Sequence, residues 1–401
     1  MLGMLDHQFS RKWLSLITSG LYGRRKKFRD NEKYDVDFSL AMHNRTGKYA
    51  IGRDLLESLR HEFNDVIFWI FALQQPPSRL ASIFICKLQW VQSQFNARSI
   101  KYGFQFAFRS NSPRLHLEPF TVLSSVLRRE DAVLIHDIGP ITDPELFEVA
   151  LYKIYIAAFL QIEKVGPHLI FASQASKNEF DRVYLNATPA SSRVIYPPIN
   201  QKNDYLKPSP LSSVNKPFFL TVGSVGIRKN QLRCIKAFAI SGLADSDVNY
   251  VICGSREPGY EEVADAASNT QGVVLLNYVK ESELKWLYEN ASGFILVSLL
   301  EGFGMPLAEA ILHNVIPIVT QNSVLEEVSG AGSISVNPLS EEDIASAMIK
   351  LYKMSDDERL ERSALLKRRT SEFSKAKFVD GWREAIKKMK EINASFLPFD
   401  G

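Results

Sequence analysis

The sequence predicts an α/β chain of two domains, each built on a parallel sheet, facing one another across a cleft. Three observations carry this expectation. Apolar runs of strand length alternate with amphipathic helical segments for most of the chain, as in βα units on parallel sheets. The length of 401 residues suits two domains at roughly 100–200 residues each. A stretch with Pro208, Pro210, several serines and no apolar periodicity separates the two series near residue 205.

In the first series, residues 36–42 read as a strand, followed by a loop with Gly47 and a helix around Asp54–His61. Residues 65–73 read as one strand ended by Pro76-Pro77. Residues 131–137 and 168–173 are further strands, the latter followed by a helix over 176–185, and residues 192–199 close the series as a short strand. In the second series, strands fall at 218–224, 249–254, 272–277, 293–299 and 315–320. Helices fall at 230–241, 282–291 with Ser282 as N-cap, 306–313, 341–354 and 378–392. The expected organisation is a basic extension (1–33), an N-terminal domain (34–204), a linker (205–216), a C-terminal domain (217–375) and a last helix (376–401) that packs back on the N-terminal domain.

Composition narrows the function classes. Apolar residues make up 45% and charged residues 23%, which excludes wholesale disorder. Cys86, Cys234 and Cys253 form neither a disulfide framework nor a metal-ligand spacing, and read as reduced thiols in a cytoplasmic setting. The longest uninterrupted apolar run, Val66–Leu73, falls far short of the ~18–20 residues that cross a bilayer. Asp6, His7, Arg11 and Lys12 break up any signal-peptide core.

The net charge of +3 conceals an asymmetry. Residues 1–35 hold eight Lys/Arg against four Asp/Glu. Residues 76–129 hold eight against a single acidic residue, Glu118, with eight aromatics interleaved. Two readings stand: an anionic membrane surface or lipid-linked substrate meets this region, or the aromatics are core and the cations a solvated face. No helix-turn-helix, zinc or RNA-binding signature supports nucleic acid as a partner.

The most informative segment is 294–310, FILVSLLEGFGMPLAEA. An apolar strand runs to Glu301, Gly302-Phe303-Gly304 follow, and a helix opens with Pro306 in its first turn. Such a unit points backbone N–H groups and a helix N-terminus at the cleft, where they attract anions. Glycines let a phosphate or sugar approach the backbone. Carboxylates at Glu301 and Glu309 suit vicinal hydroxyls. Phosphate and hydroxyl recognition together point to a nucleotide sugar, although a capping role would explain either glutamate alone.

In these residues the chain resembles the family 4 retaining glycosyltransferases of GT-B fold, with their EGFGxPxxEA motif. The resemblance extends over FFLTVGSVGIRKNQLRCIKAF and IPIVTQNSVLEEVSGAGSISVNP, and more weakly over VLIHDIGPITDPELF and residues 40–59. It implies two Rossmann-like domains facing the cleft. It also implies that Glu309 holds the ribose hydroxyls, that Glu301 contacts the donor sugar, and that Arg228 and Lys229 neutralise the diphosphate. Gly223, Gly302, Phe303 and Gly304 would line the nucleotide. His136 would lie across the cleft near the sugar, with Asp137 beside it, and Gly47 would let the N-terminal domain approach the diphosphate. His136 serves equally well as a structural hydrogen-bonder, and Glu327 reads as structural before nucleotide-facing. The family usually has Gly at the positions of Asn314 and Asn277, Pro at Val297 and a second loop glycine at Tyr49.

The implied reaction is sugar transfer with retention, needing no metal and no cofactor beyond the nucleotide-sugar donor. The His-Asp loop and the RTG stretch lean toward a mannosyl branch with a GDP sugar. The implied acceptor is a lipid-linked oligosaccharide or saccharide, and the implied location is cytoplasmic, peripheral on the inner face of the membrane. An epimerase on the same scaffold and a non-catalytic partner in polysaccharide assembly are the alternatives.

Overall fold

A computed structural model describes residues 33–43, 47–199 and 206–396. The basic segment of residues 1–32, part of the stretch read as a linker, two residues of the RTG stretch and residues 397–401 lie outside the described residues.

The first sheet contains β1 (Tyr34–Asp37), β2 (Phe63–Phe68), β3 (Phe71–Ala72), β4 (Arg114–His116), β5 (Ala132–Ile135), β6 (His168–Phe171) and β7 (Ser192–Val194). Their order is β3-β2-β1-β4-β5-β6-β7, parallel except for the β2–β3 hairpin. The main helices of this half are α1 (Gly47–Leu59), α2 (Arg79–Ser99), α3 (Val149–Val165) and α4 (Gln174–Val183). Strand β5 shows why these runs are apolar throughout. Ala132 and Leu134 enter one core cluster, while Val133 and Ile135 enter another on the opposite face. With both faces covered, no polar alternation is left.

The second sheet contains β8 (Phe218–Val222), β9 (Asn249–Cys253), β10 (Val273–Leu276), β11 (Gly293–Leu296), β12 (Pro317–Thr320) and β13 (Ile334–Val336). Their order is β10-β9-β8-β11-β12-β13, all parallel. Around it lie α5 (Gln231–Ser241), α6 (Tyr260–Ser268), α7 (Glu281–Asn290), α8 (Met305–Leu312), α9 (Val324–Ser329), α10 (Glu341–Tyr352) and α11 (Asp356–Thr370). One core cluster unites them. Each sheet has a switch point where neighbours run to opposite sides: β1/β4 in the first, β8/β11 in the second. Open α/β sheets bind ligands at such points, beyond the strands' carboxyl ends.

The last helix, α12 (Lys375–Ala394), crosses back. Phe378, Trp382, Ala385, Ile386 and Met389 recur at helical spacing and join the core of the first sheet. Asn393 ties the far end of the helix: its Nδ2 donates to Tyr34 Oη at 2.9 Å and to the Glu130 carbonyl at 3.0 Å.

Several elements differ from the sequence expectation. The strand expected over 36–42 stops at Asp37, because Asp37 Oδ1 accepts the Ser39 N–H at 3.0 Å and turns the chain into a short helix, Leu40–His43. The strand expected over 65–73 is a hairpin broken at Trp69, which adopts φ 62°. Trp69 is held there by its N–H on Ser39 Oγ (2.7 Å) and its indole N–H on Gln92 Oε1 (2.6 Å). Helix α7 is capped at Lys280 rather than Ser282, with Glu283 Oε2 accepting the Lys280 N–H at 2.7 Å. Strand β7 ends at Val194, well short of residue 199.

The packing of α12 sets one expected outcome. Trp382 is 1% exposed, and its indole nitrogen has no hydrogen-bond partner among the described residues. Trp382→Ala is expected to lower stability by about 3–5 kcal/mol in chemical denaturation. Trp382→Phe, which keeps an aromatic ring, though a smaller one, and removes an unsatisfied N–H, should cost less. Equal losses would contradict this account of the crossing helix.

Candidate active site

Residues at the C-terminal switch point converge. Lys229, in the turn after β8, forms an ion pair through Nζ with Glu301 Oε1, and both side chains are 10% exposed or less. Arg228 Nη1 stands 3.9 Å from Glu301 Oε2 and donates to the Leu300 carbonyl at 3.2 Å. Its other nitrogen, Nη2, donates to both oxygens of Glu257 at 3.1 and 3.2 Å. Ser298 Oγ donates to Glu301 Oε1 at 3.0 Å. The Glu301 carboxylate is thus oriented by one hydroxyl and two cations.

Gly223 has φ 142°, and a Cβ there would lie 3.6 Å from Lys229 Cε, so the turn after β8 passes along the lysine stem. Gly304 takes φ 87°, in the left-handed region that favours glycine, and initiates α8. The ring of Phe303 does not enter the crevice. It is 5% exposed and packs edge-on against Phe373 at 5.2 Å, which leaves only its backbone available to a ligand. Glu309 sits one turn into α8, where its Oε2 accepts the Tyr288 hydroxyl at 3.1 Å. Burial and the Glu309 charge push the Tyr288 phenol well above its ordinary pKa, so it remains a donor.

The first domain closes the other side. A Cβ on Gly302 would stand 3.1 Å from Asp137 Oδ2 and 3.1 Å from the His136 carbonyl oxygen. One on Gly47, at the start of α1, would stand 3.2 Å from Met305 Cγ in the first turn of α8. The two helix starts therefore meet in close contact, and His136, Asp137 and Gly47 lie beside the glycine loop. Glu327 does something else. Its two oxygens accept the backbone N–H groups of Gln174 (2.8 Å) and Ala175 (2.7 Å) in the first turn of α4, tying the domains together at a helix N-terminus.

Sequence reasoning missed the ionic floor beneath His136. Lys48 Nζ lies 3.4 Å from Glu118 Oε2 and 3.7 Å from Asp137 Oδ2, and Tyr155 Oη donates to Glu118 Oε1. Burial alone would raise the Asp137 carboxyl, but Lys48, His136, the Gly139 N–H and Arg228 hold it below its ordinary range. Burial would likewise depress Lys48, yet Glu118 and Asp137 hold its pKa above the usual value. His136 is different: burial and then the Lys48 charge lower its pKa. Its Nε2 meets the Leu117 carbonyl at 3.0 Å, so Nε2 carries the proton and Nδ1 is the acceptor nitrogen. One signal pointed here: Glu118 is the lone carboxylate in a long basic tract. Among the described residues, no three His, Cys, Asp or Glu side chains are grouped to hold a metal ion.

Residues 203–367 match the family model of glycosyl transferases group 1. The C-terminal half carries a group 1 glycosyl transferase domain. The group 1 domain contains Arg228, Lys229 and the whole segment 294–310, and the resemblance read from those residues holds. The chain is 28% identical over 233 residues to the O-antigen chain mannosyltransferase RfbU of Salmonella typhimurium. It is 25% identical over 246 residues to O-antigen chain mannosyltransferase B of Escherichia coli. Each alignment covers 57% of this chain and spans 63% of the relative's length. In fold, the chain is similar to a trehalose-6-phosphate synthase, OtsA, at TM-score 0.57 and 11% identity over 87% of this chain and 84% of that one. An alpha,alpha-trehalose-phosphate synthase (UDP-forming) from Burkholderia vietnamiensis gives TM-score 0.55 and 12% identity over 84% and 87% of the two chains. The expected GT-B architecture, two α/β domains on parallel sheets, is the observed one. No helix among the described residues is long and apolar enough to cross a membrane. Asn314, where the family usually has Gly, takes φ 59°, a conformation asparagine tolerates better than most residues.

Two outcomes are expected of these groups. Glu301→Ala leaves the Lys229 ammonium buried without its carboxylate, and should cost about 3–5 kcal/mol in denaturation. Added inorganic diphosphate should restore part of that loss; a neutral substitution would show that the pair is not buried as described. Separately, nitrogen-15 NMR should find His136 neutral, with its proton on Nε2, at pH 6.5, the ordinary imidazole midpoint. A half-protonated ring at that pH would contradict its burial.

Proposed function

We propose that the protein is a retaining glycosyltransferase that moves mannose from GDP-mannose to a hydroxyl of a lipid-linked or polysaccharide-precursor acceptor. The carrying observation is the convergence of Arg228, Lys229, Glu301 and the glycine loop on one side of a crevice whose other side presents His136, Asp137 and Gly47.

Chemically, the bond between the anomeric carbon and the diphosphate oxygen breaks as positive charge develops at the sugar. Negative charge grows on the departing diphosphate, where Arg228, Lys229 and the N–H groups at the start of α8 stabilise it. These donors are fixed before reaction, so little reorganisation is required. The acceptor oxygen attacks from the face the diphosphate leaves, and its proton passes to the departing phosphate oxygen. No side chain needs to form a covalent intermediate, and the scheme uses no metal. Glu301 orients sugar hydroxyls, and Glu309 takes the ribose. His136 presents a neutral ring or its carbonyl toward the sugar, with Asp137, Lys48 and Glu118 holding that segment in place. Binding energy from nucleoside and diphosphate positions the sugar.

The choice of mannose and of a polysaccharide acceptor is supported by two relatives whose names give O-antigen chain mannosyltransferase activity. Incubation with a panel of labelled nucleotide sugars and membrane lipid extract tests it. Transfer from GDP-mannose with an α product is the expected result; transfer from another donor only would redirect the assignment. Within the same reading, Lys229→Met should weaken GDP binding about 10–100-fold by titration calorimetry, the worth of one charge-assisted contact. Glu309→Ala should weaken GDP but leave inorganic diphosphate binding unchanged. Loss of turnover with GDP affinity intact would remove Glu309 from the ribose role.

A further inference from the structure

Helix α2 is amphipathic in the inverted sense. Its buried residues are Ser82, Ile85, Gln89, Gln92, Ser93 and Asn96, nearly all polar. Hydrogen bonds hold that polar face to the domain. Gln92 Nε2 donates to the Phe106 carbonyl at 2.7 Å. Asn96 Nδ2 donates to the carbonyls of Phe106 (2.9 Å) and Leu123 (2.7 Å), and Asn96 Oδ1 accepts the Phe106 N–H at 2.8 Å. The helix cannot roll without breaking this set, so its other face is fixed outward.

That outward face is apolar. Leu80 is 79% exposed, Ile83 48%, Leu88 40%, Val91 65% and Phe95 49%, in one stripe at helical spacing. The following loop extends it with Tyr102 at 79%, and with Phe104 and Phe106 at 56% each. Phe104 meets Phe95 edge-on at 5.9 Å, which joins loop to helix. An apolar surface this continuous marks an interaction site.

The charges identify the partner's chemistry. Arg79, Lys87, Arg98, Lys101 and Arg109 are exposed on or beside the stripe. No carboxylate occurs between Asp65 and Glu118, and Glu118 is buried. Two copies pressed together through this face would set cations against cations, so a second copy is disfavoured. The stripe lies along an outward-facing helix flanked by long cationic side chains and a tyrosine. That arrangement matches a surface whose interior is apolar and whose boundary is anionic.

We propose that α2 and the loop through Arg109 dock the first domain on an anionic lipid bilayer, apolar stripe inserted and cations at the headgroups. This goes beyond the transferase reading and does not rest on it, because its readout is binding rather than turnover.

The test is co-sedimentation of the full-length protein with vesicles of phosphatidylcholine alone or with phosphatidylglycerol added. Binding should require the anionic lipid and weaken as salt rises. Leu88→Ser with Val91→Ser should weaken it roughly 10-fold or more, and so should Lys87→Gln with Lys101→Gln. All four side chains are exposed, so melting temperatures should not change. Unchanged vesicle binding by the Leu88→Ser/Val91→Ser protein would overturn the proposal. So would no vesicle binding at low ionic strength: a dimer that the same pair dissociates would then assign the face to a second copy, and a monomer would assign it to a protein partner.

Discussion

A nearly buried ammonium faces a nearly buried carboxylate at the point where the strand order of the second sheet reverses. The pairing of Lys229 with Glu301 is the constraint on which the rest of the crevice depends. Each charge would be costly in that position alone, and together they fix the turn after β8 against the loop after β11. Arg228 extends the arrangement, bridging from Leu300 to Glu257. The result is a wall of paired charges beside a glycine loop and a helix start, with the Glu301 carboxylate in contact with the same cations that a diphosphate would seek.

The opposite wall solves a different electrostatic problem. Glu118 and Asp137 are two carboxylates near one lysine, and His136 lies among them uncharged. A single cation, Lys48, serves both carboxylates, and the Tyr155 hydroxyl satisfies a further oxygen. The first domain thus presents a polar floor with one more carboxylate than cations, opposite the paired charges of the second. In the proposed reaction the diphosphate would lie on one side and the uncharged sugar hydroxyls on the other. Glu327 of α9, bound to the first turn of α4, and the crossing helix α12 keep the sides in register.

Much of this was legible in the sequence because it is local. Strands β5 and β11 are buried throughout and read as unbroken apolar runs. The glycine loop and its two glutamates lie within a single strand-to-helix unit, so the motif and its geometry coincide. What was illegible depends on distant partners. Lys48, Glu118 and Asp137 come from three separate segments, and no spacing connects them. Nothing beside Trp69 announces a hairpin, since the turn is held by Ser39 and Gln92. In α2 the helical period is present, but not the direction it faces: Phe106 and Leu123 supply polar partners that turn the apolar side outward. Phe303 stands inside the motif and yet belongs to the core, because Phe373 is packed against it.

The most direct measurement is a structure of the protein with GDP bound. The account expects the diphosphate between Arg228, Lys229 and the backbone of residues 302–305, with the ribose hydroxyls on Glu309 and the β-phosphate directed toward His136. A nucleotide lodged elsewhere, or a diphosphate that leaves the pairing of Lys229 with Glu301 untouched and makes no contact with either cation, would contradict it.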